Sequence, residues 1–327
     1  MSKQVWTVLT DPSDNELAPL LPERIHKIAT TELSRVRTFE EEAFPSLEEH
    51  GSEFTDDYLF GELAYPVLCP DPDDIGTISL RLVIDFERLI TVARTPQNLP
   101  EGVKMPDLSS LPVRAQAKGL ESGACFCFLL EEVALEVHRL LAICEDRSEL
   151  VEQLLNYDEK PPPDCRKRLA RLRNHFLQLK TVIQPTLTLV DAIIADDLDL
   201  RGVGAETQQE RELFPRNTEI FLIAVRNSLR HAQLHTEYWL ENLSTLQDNL
   251  SDYLNREQTK AGNRLAAMAS IMLIPTFIVG LYGMNIDSAY FPEFGWLNGY
   301  LFSWSAIALI TVIQVVIFRK KGWLFRK

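Results

Sequence analysis

Two long stretches without Asp, Glu, Lys or Arg stand towards the C-terminal end of the chain, Leu265–Ile286 and Phe294–Phe318. Each exceeds the roughly 20 apolar residues an α-helix needs to cross about 30 Å of hydrocarbon, so two membrane-spanning helices are predicted. No such run precedes Arg264, and the pattern there is that of a water-exposed domain. Ser79, Arg81 and Val83 alternate with Leu80, Leu82 and Ile84; Asp85-Phe86-Glu87-Arg88 turns the chain into Leu89-Ile90-Thr91-Val92. That is a predicted β-hairpin over Thr77–Thr95. A short strand is expected at Gln4–Thr10, and a helix over Pro22–Arg37 with proline in its first turn. Four prolines make Pro96–Pro112 a connector.

From Ala124 the period becomes helical. Phe128, Leu129, Val133, Val137, Leu140, Leu141 and Ile143 recur at three- and four-residue steps, and the helix is predicted to run to about Tyr157. Pro161-Pro162-Pro163 breaks it. A second helix starts at Asp164, with Leu169, Leu172, Phe176, Leu179 and Val182 on one face and Pro185 as a kink position, giving an αα-hairpin. Past Gly202 and Gly204 the longest element begins near Pro215, with no further proline until Pro275 and Gly262 as the one glycine between. Leu240, Leu243, Gln247, Leu250 and Leu254 form a coiled-coil seam with one polar member. Carried through Met284, this helix spans roughly 105 Å at 1.5 Å per residue. A helix of that length needs partners along it, most simply copies of itself.

The expected architecture is an α+β cytoplasmic domain followed by a very long stalk helix and two C-terminal transmembrane α-helices. In numbers, 1–115 is a mixed α/β domain, 116–205 a helical hairpin, 206–264 the stalk and 265–285 the first span. An extracytoplasmic loop over 286–297, a second span over 298–318 and a cytoplasmic basic tail over 319–327 complete it.

Charge sharpens the picture. Of 47 acids and 33 bases, 2 and 5 lie beyond Arg264, which leaves residues 1–264 with 45 acids against 28 bases, a net of −17. Such a domain does not neutralise phosphates, so nucleic acid is excluded as a partner. The acidity suits a domain that lives among cations, and equally suits simple solubility. Five bases follow the second span and only acids, Asp287 and Glu293, occupy the loop between spans. The positive-inside rule places both termini in the cytoplasm. The first sixteen residues lack the pattern of a cleavable signal. Five cysteines without zinc spacing point to reduced thiols. No P-loop and no nucleophile–base constellation argues for an enzyme. His231 and His235 stand four apart but lack a third metal ligand, and Asp196, Asp197 and Asp199 suit helix-cap chemistry better than a metal site.

Tyr282-Gly283-Met284-Asn285 closes the first uncharged stretch, the acidic loop and second stretch follow, and Arg319-Lys320-Lys321-Gly322-Trp323-Leu324 comes last. In this order the residues resemble the CorA magnesium-transporter family. Its members end in two transmembrane helices, with Tyr-Gly-Met-Asn at the outer end of the first, Met-Pro-Glu in the loop and a basic tail ending in Trp-Leu. Here the loop element is Phe291-Pro292-Glu293, and Trp296 and Gly299-Tyr300 fall where relatives carry the same residues. The specific motifs cover about residues 255–324; the strand pair and helical hairpin resemble the family in order only. Two departures stand out: a loop about two residues longer, and Thr259 where relatives often carry an Asn at the inner pore mouth.

The resemblance implies a homopentameric channel of a cell (inner) membrane, in contact with lipid, that takes up magnesium, with cobalt or nickel beside it, and needs no cofactor. It implies Gly283, Met284 and Asn285 as the selectivity element and Glu293 in the outer loop. The residue chemistry agrees. Magnesium sheds water reluctantly and demands near-octahedral oxygen at about 2.0–2.1 Å. An amide carbonyl at Asn285 meets the hydrogens of the ion's bound water without the grip of a carboxylate, and conduction needs release as well as binding. Gly283-Met284-Asn285 is also a helix C-cap by composition. Along the same face Gly280, Thr276, Leu273, Ala269 and Leu265 are candidates to line the pore. They suit close helix packing in lipid as well as a polar waypoint at Thr276 and a dewetting gate at Leu273. The rival readings are a zinc transporter of the same superfamily, against which Met284 speaks because those relatives usually carry Val, and a membrane-anchored coiled-coil signalling or scaffold protein, which leaves Tyr282–Asn285 unexplained.

Overall fold

The computed structural model describes residues 5–21, 25, 27–39, 45–52, 55–70, 73–157, 160–198, 200–203, 210–284 and 298–324. Two compact units emerge, Met1–Gln247 and Asp248–Lys327.

The first unit is built on a five-stranded sheet of β1 (Trp6–Thr10), β2 (Ser46–Ser52), β3 (Thr55–Pro70), β4 (Asp73–Ile84) and β5 (Leu89–Ala93) in the order β1-β5-β4-β3-β2. β1 runs parallel to β5, with Trp6 opposite Leu89, and the other pairs are antiparallel. The predicted hairpin is β4–β5, closed by Asp85, whose Oδ1 accepts the backbone N–H groups of Glu87 and Arg88 at 2.7 and 2.8 Å. The alternation does not reveal the long β3, because Leu59, Leu63, Ala64, Tyr65, Val67 and Cys69 are buried on both of its faces. A strand covered on both sides has no polar face to alternate with. Gly61 lets β2 close on it, since a Cβ there would lie 2.1 Å from the Ser46 carbonyl oxygen.

Helices cover both faces. On one lie α1 (Asp14–Leu17) and α2 (Lys27–Ser34), whose Leu17, Ala29 and Leu33 pack with Tyr58, Val83, Ile90 and Val92. The helix expected over Pro22–Arg37 is thus shorter. It stops at Ser34, where Arg81 donates to the carbonyls of Glu32 and Arg35 and Arg94 Nε donates to Leu33 O at 2.7 Å. These arginines satisfy carbonyls that a helix end leaves open. α3 (Ser110–Ala117) begins inside the proline-rich connector.

On the other face lies the helical hairpin, α4 (Ser122–Tyr157) and α5 (Cys165–Ile194). α5 continues through Pro185. Trp6 ties strand to helix: it is 1% exposed, donates its indole N–H to Thr91 Oγ1 at 3.1 Å and sets its ring edge-on to Phe128 at 6.4 Å. A small hairpin, β6 (Arg201–Val203) and β7 (Glu210–Glu212), precedes α6 (Arg216–Tyr282). In its first part α6 buries Leu222, Val225, Leu229, Trp239, Leu243 and Leu246.

The second unit holds the rest of α6 and α7 (Gly299–Lys320). Both helices are long and apolar enough to cross a membrane. Of the seam, Leu250 is buried and Leu254 exposed, and from Ser251 to Gly262 every residue but the half-buried Tyr253 is exposed.

Candidate functional site

The apolar half of α6 has two different sides. Asn263, Ala267, Ser270, Ile271, Ile274, Pro275, Ile278 and Leu281 are buried or half-buried, at three- and four-residue steps. The matching stripe on α7 is Ser303, Ala306, Ile307, Ile310, Thr311, Gln314, Val315 and Phe318. A polar pair joins the helices: Gln314 Nε2 donates to the Ser270 carbonyl and hydroxyl oxygens, both at 3.3 Å. Its periodicity is that of two helices packed along their length.

Leu265, Ala269, Leu273, Thr276 and Gly280 are all exposed. At 100° per residue this set lies about 200° around the helix from the side that meets α7. The five residues therefore share one uncharged face, turned away from the α7 contact. Thr276 Oγ1 donates back to Met272 O at 2.7 Å, which leaves its oxygen's lone pairs outward. Pro275, on the side that meets α7, lacks the N–H that would meet Ile271 O.

At the end of α6, Gly283 N–H donates to Val279 O at 2.9 Å and Met284 N–H to Leu281 O at 3.3 Å. Gly283 keeps a negative φ, unlike the glycine of a left-handed cap. Gly280 has no atom within 4 Å of where a Cβ would stand. Nothing among the described residues demands a glycine at 280; its smallness is available to a neighbour. Asn285 and Glu293 lie outside the described residues, as does Asp199.

The basic tail does form a left-handed end. Gly322 has φ +72°, Trp323 N–H reaches back to Phe318 O at 2.9 Å, and the indole stacks on Phe318 at 5.6 Å with Lys321 over it at 5.4 Å. Tryptophan and lysine at the end of an apolar helix are the groups that sit at a membrane–water boundary.

Other sequence candidates fall apart or change character. The His231 and His235 rings lie 4.3 Å apart, tilted by 38°, His138 stacks on His231 at 6.4 Å, and His235 Nδ1 lies 2.7 Å from Glu145 Oε1. That acceptor also takes the Trp239 indole N–H at 3.1 Å, so the carboxylate is engaged in tying α4 to α6. No group of three or more metal-capable side chains occurs among the described residues. Asp196 takes φ +58° and the Asp197 N–H bonds Ala192 O at 3.0 Å, so the pair closes α5. Thr259 Oγ1 donates to Asn255 O at 2.8 Å. Sequence reasoning missed the Gln314–Ser270 pair; an amide in the middle of an uncharged stretch is the signal that marks it.

A family profile described as CorA-like Mg2+ transporter protein matches residues 2–320. The chain belongs to that family. Among curated relatives, the "Magnesium transport protein CorA" of Helicobacter pylori is 36% identical over 85 residues, 26% of each chain. The "Cobalt/magnesium transport protein CorA" of Thermotoga maritima is 25% identical over 60% of this chain and 51% of its own length. The first relatives are thus matched over a quarter to a half of their length, whereas "Magnesium transport protein CorA" of Salmonella typhimurium is matched over 92%, at 22% identity and 98% of this chain. Among solved structures, the complete CorA magnesium transporter from Methanocaldococcus jannaschii superposes with TM-score 0.69 over 99% of this chain and 93% of its own, at 17% identity. The full-length CmaX protein gives 0.67 over 97% and 88%, at 19% identity. The fold expected from the sequence, a soluble α/β part, a long helix and C-terminal apolar helices, is the CorA fold. Members of such a family are membrane transporters, not enzymes.

Proposed function

We propose that this chain assembles as a pentamer in the cell membrane, both termini cytoplasmic, and conducts hydrated Mg2+ inward down its electrochemical gradient. Cobalt and nickel ions of similar hydration are secondary substrates. The observation that carries the reading is the exposed, uncharged face of Leu265, Ala269, Leu273, Thr276 and Gly280, opposite the side that meets α7 and continuing to Gly283 and Met284. Repeated around a symmetry axis, that face lines a pore, and the next residue beyond it is Asn285. A ring of amide oxygens there meets the water hydrogens of the ion's first shell. Selection then follows hydrated size and charge, without the cost of stripping water that Mg2+ holds tightly. An inside-negative potential supplies about 2.3 kcal/mol per charge per 100 mV, hence about 4.6 for a divalent ion, so transport needs no coupled hydrolysis.

The test is flux into liposomes that contain only this protein. Asn285→Ala should abolish selective Mg2+ entry while the oligomer still assembles. Undiminished, selective flux through that variant overturns the assignment of Asn285. Entry of Zn2+ in preference to Mg2+ would move the chain to the zinc reading, and no ion flux at all to the scaffold reading.

A further inference from the structure

Where the chain leaves α2, a cavity of about 20 Å³ is lined by Arg35, Arg37, Ser79, Arg81 and Arg94, and by no carboxylate. Two of these arginines are matched by acids. Arg37 Nη1 pairs with Glu62 Oε1 at 2.8 Å, and Arg35 Nη1 with Glu32 Oε1 at 3.5 Å. Arg81 and Arg94 are not. Arg81, 4% exposed, donates through Nη1 to the carbonyls of Glu32 and Arg35, and Arg94 Nε donates to Leu33 O. Neither stands in an ion pair among the described residues. Four guanidinium groups less the two carboxylates of Glu32 and Glu62 leave two positive charges, met by carbonyl oxygens at a helix end worth about half a negative charge. Arg81 Nε, Arg94 Nη2 and Ser79 Oγ are buried there and meet no hydrogen-bond partner. Burial, and then Arg37, pull the pKa of Arg81 below its ordinary value against the opposing pull of Glu62 and Glu32. A guanidinium nevertheless keeps its proton inside a protein, so this charge persists in surroundings that disfavour it.

We propose that this cavity binds a monatomic anion of the halide class, chloride first among them. The volume decides the size: it is little more than one water-sized guest occupies, and it excludes a phosphate, a sulfate or a carboxylate group. The donors decide the sign. Arg81 Nε and Arg94 Nη2 can only donate, and the Ser79 hydroxyl can turn its hydrogen the same way, so a cation has nothing to bind. A water meets the hydrogen bonds of this group but brings no charge, and a buried charge without its counter-charge is the costlier fault. A halide accepts from all three groups and halves the uncompensated charge. It would thereby hold the two arginines on which the end of α2 rests. This proposal stands apart from the transport reading, and flux is not its readout.

The experiment uses the full chain in uncharged detergent, without Mg2+, with gluconate replaced stepwise by chloride at constant ionic strength. Thermal unfolding is followed by calorimetry, and crystals grown with bromide in place of chloride are measured for anomalous scattering. Chloride should raise the unfolding temperature of the first unit saturably, and a bromide peak should stand among Ser79, Arg81 and Arg94. Ser79→Ala is a small change that removes one hydrogen bond to a charged guest, so the half-saturating chloride concentration should rise by about tenfold. Arg94→Gln should abolish the chloride dependence. Arg166→Gln, the same charge change off the cavity, should alter it less than about twofold. A saturable chloride effect with this contrast, and bromide at the cavity, establishes the site. Unfolding indifferent to the choice of anion, equal weakening by Ser79→Ala and Arg166→Gln, or bromide absent from the cavity overturns the proposal and gives the space to a water.

Discussion

The five cysteines are buried, and burial pushes the Cys125 thiol up to about 11 and that of Cys127 higher still. Reactivity belongs to the thiolate, so at pH 8 the native chain should present fewer than one reactive thiol to an aromatic disulfide reagent. All five should react after denaturation. That silent background makes orientation measurable: Ser288→Cys, in the loop between the spans, should react with an impermeant maleimide added outside. Labelling from the inside only would reverse the proposed topology. At the proposed selectivity element the expectation concerns charge. Asn285→Asp replaces an amide oxygen by a carboxylate, so it should bind divalent ions more tightly and pass them more slowly, seen as a lower half-saturation and a lower maximal flux. Cobalt hexaammine, whose ligands do not exchange, should compete with Mg2+ from outside, because its N–H groups address the same oxygens as water hydrogens. Block confined to cations that can lose their ligands would mean inner-shell coordination instead.

At the scale of elements, legibility in the sequence followed solvation. The α4–α5 pair and the first part of α6 each expose one side, so polar residues mark their period, whereas the β4–β5 hairpin is buried over Leu80–Ile84 and Leu89–Ala93 and was marked by its β-rich sequence and the Asp85 turn. β3 has no watery side and left no alternation; β2 ends with a shift in register between His50 and Gly51. The early end of α2 depends on Arg81 and Arg94, which lie 46 and 61 residues from the carbonyls of Arg35 and Leu33, a relation no local window contains. The proposed ion pathway rests on another kind of signal: spacing on one uncharged face picks out Leu265, Ala269, Leu273, Thr276 and Gly280, and a pathway along them requires other copies of the chain. Trp6 tests how the first unit is joined. It closes β1 on β5 and on α4 at once, so Trp6→Ala should cost about 3–5 kcal/mol. The full chain should then lose on the order of 10 °C in unfolding temperature of that unit. Thr91→Val, which removes only the indole's acceptor, should cost about 1 kcal/mol.

For the whole molecule, the decisive quantity is the net −17 of residues 1–264, repeated in every copy of an assembly. Copies arranged around an axis bring like-charged surfaces together, and a divalent ion shared between carboxylates of neighbouring copies relieves that repulsion. On this proposal a high internal Mg2+ concentration should favour the closely packed state and slow entry. The side chains best placed for this are those not already engaged. Asp248 and Asp252 are exposed one turn apart on α6, whereas Glu257 is held by Lys260 at 2.6 Å. Asp196 and Asp197 are exposed at the end of α5. A coupling of about 1–3 kcal/mol is enough to change affinity five- to 150-fold. High internal Mg2+ should therefore protect the soluble unit from limited proteolysis and reduce flux together. Replacing Asp248 and Asp252 by Asn should remove both effects; if instead the Asp196 and Asp197 pair does so, the bridging ion lies at the hairpin end. Cleavage and flux indifferent to internal Mg2+ would reduce the acidity to solubility charge and leave the gate to the apolar ring at Leu273.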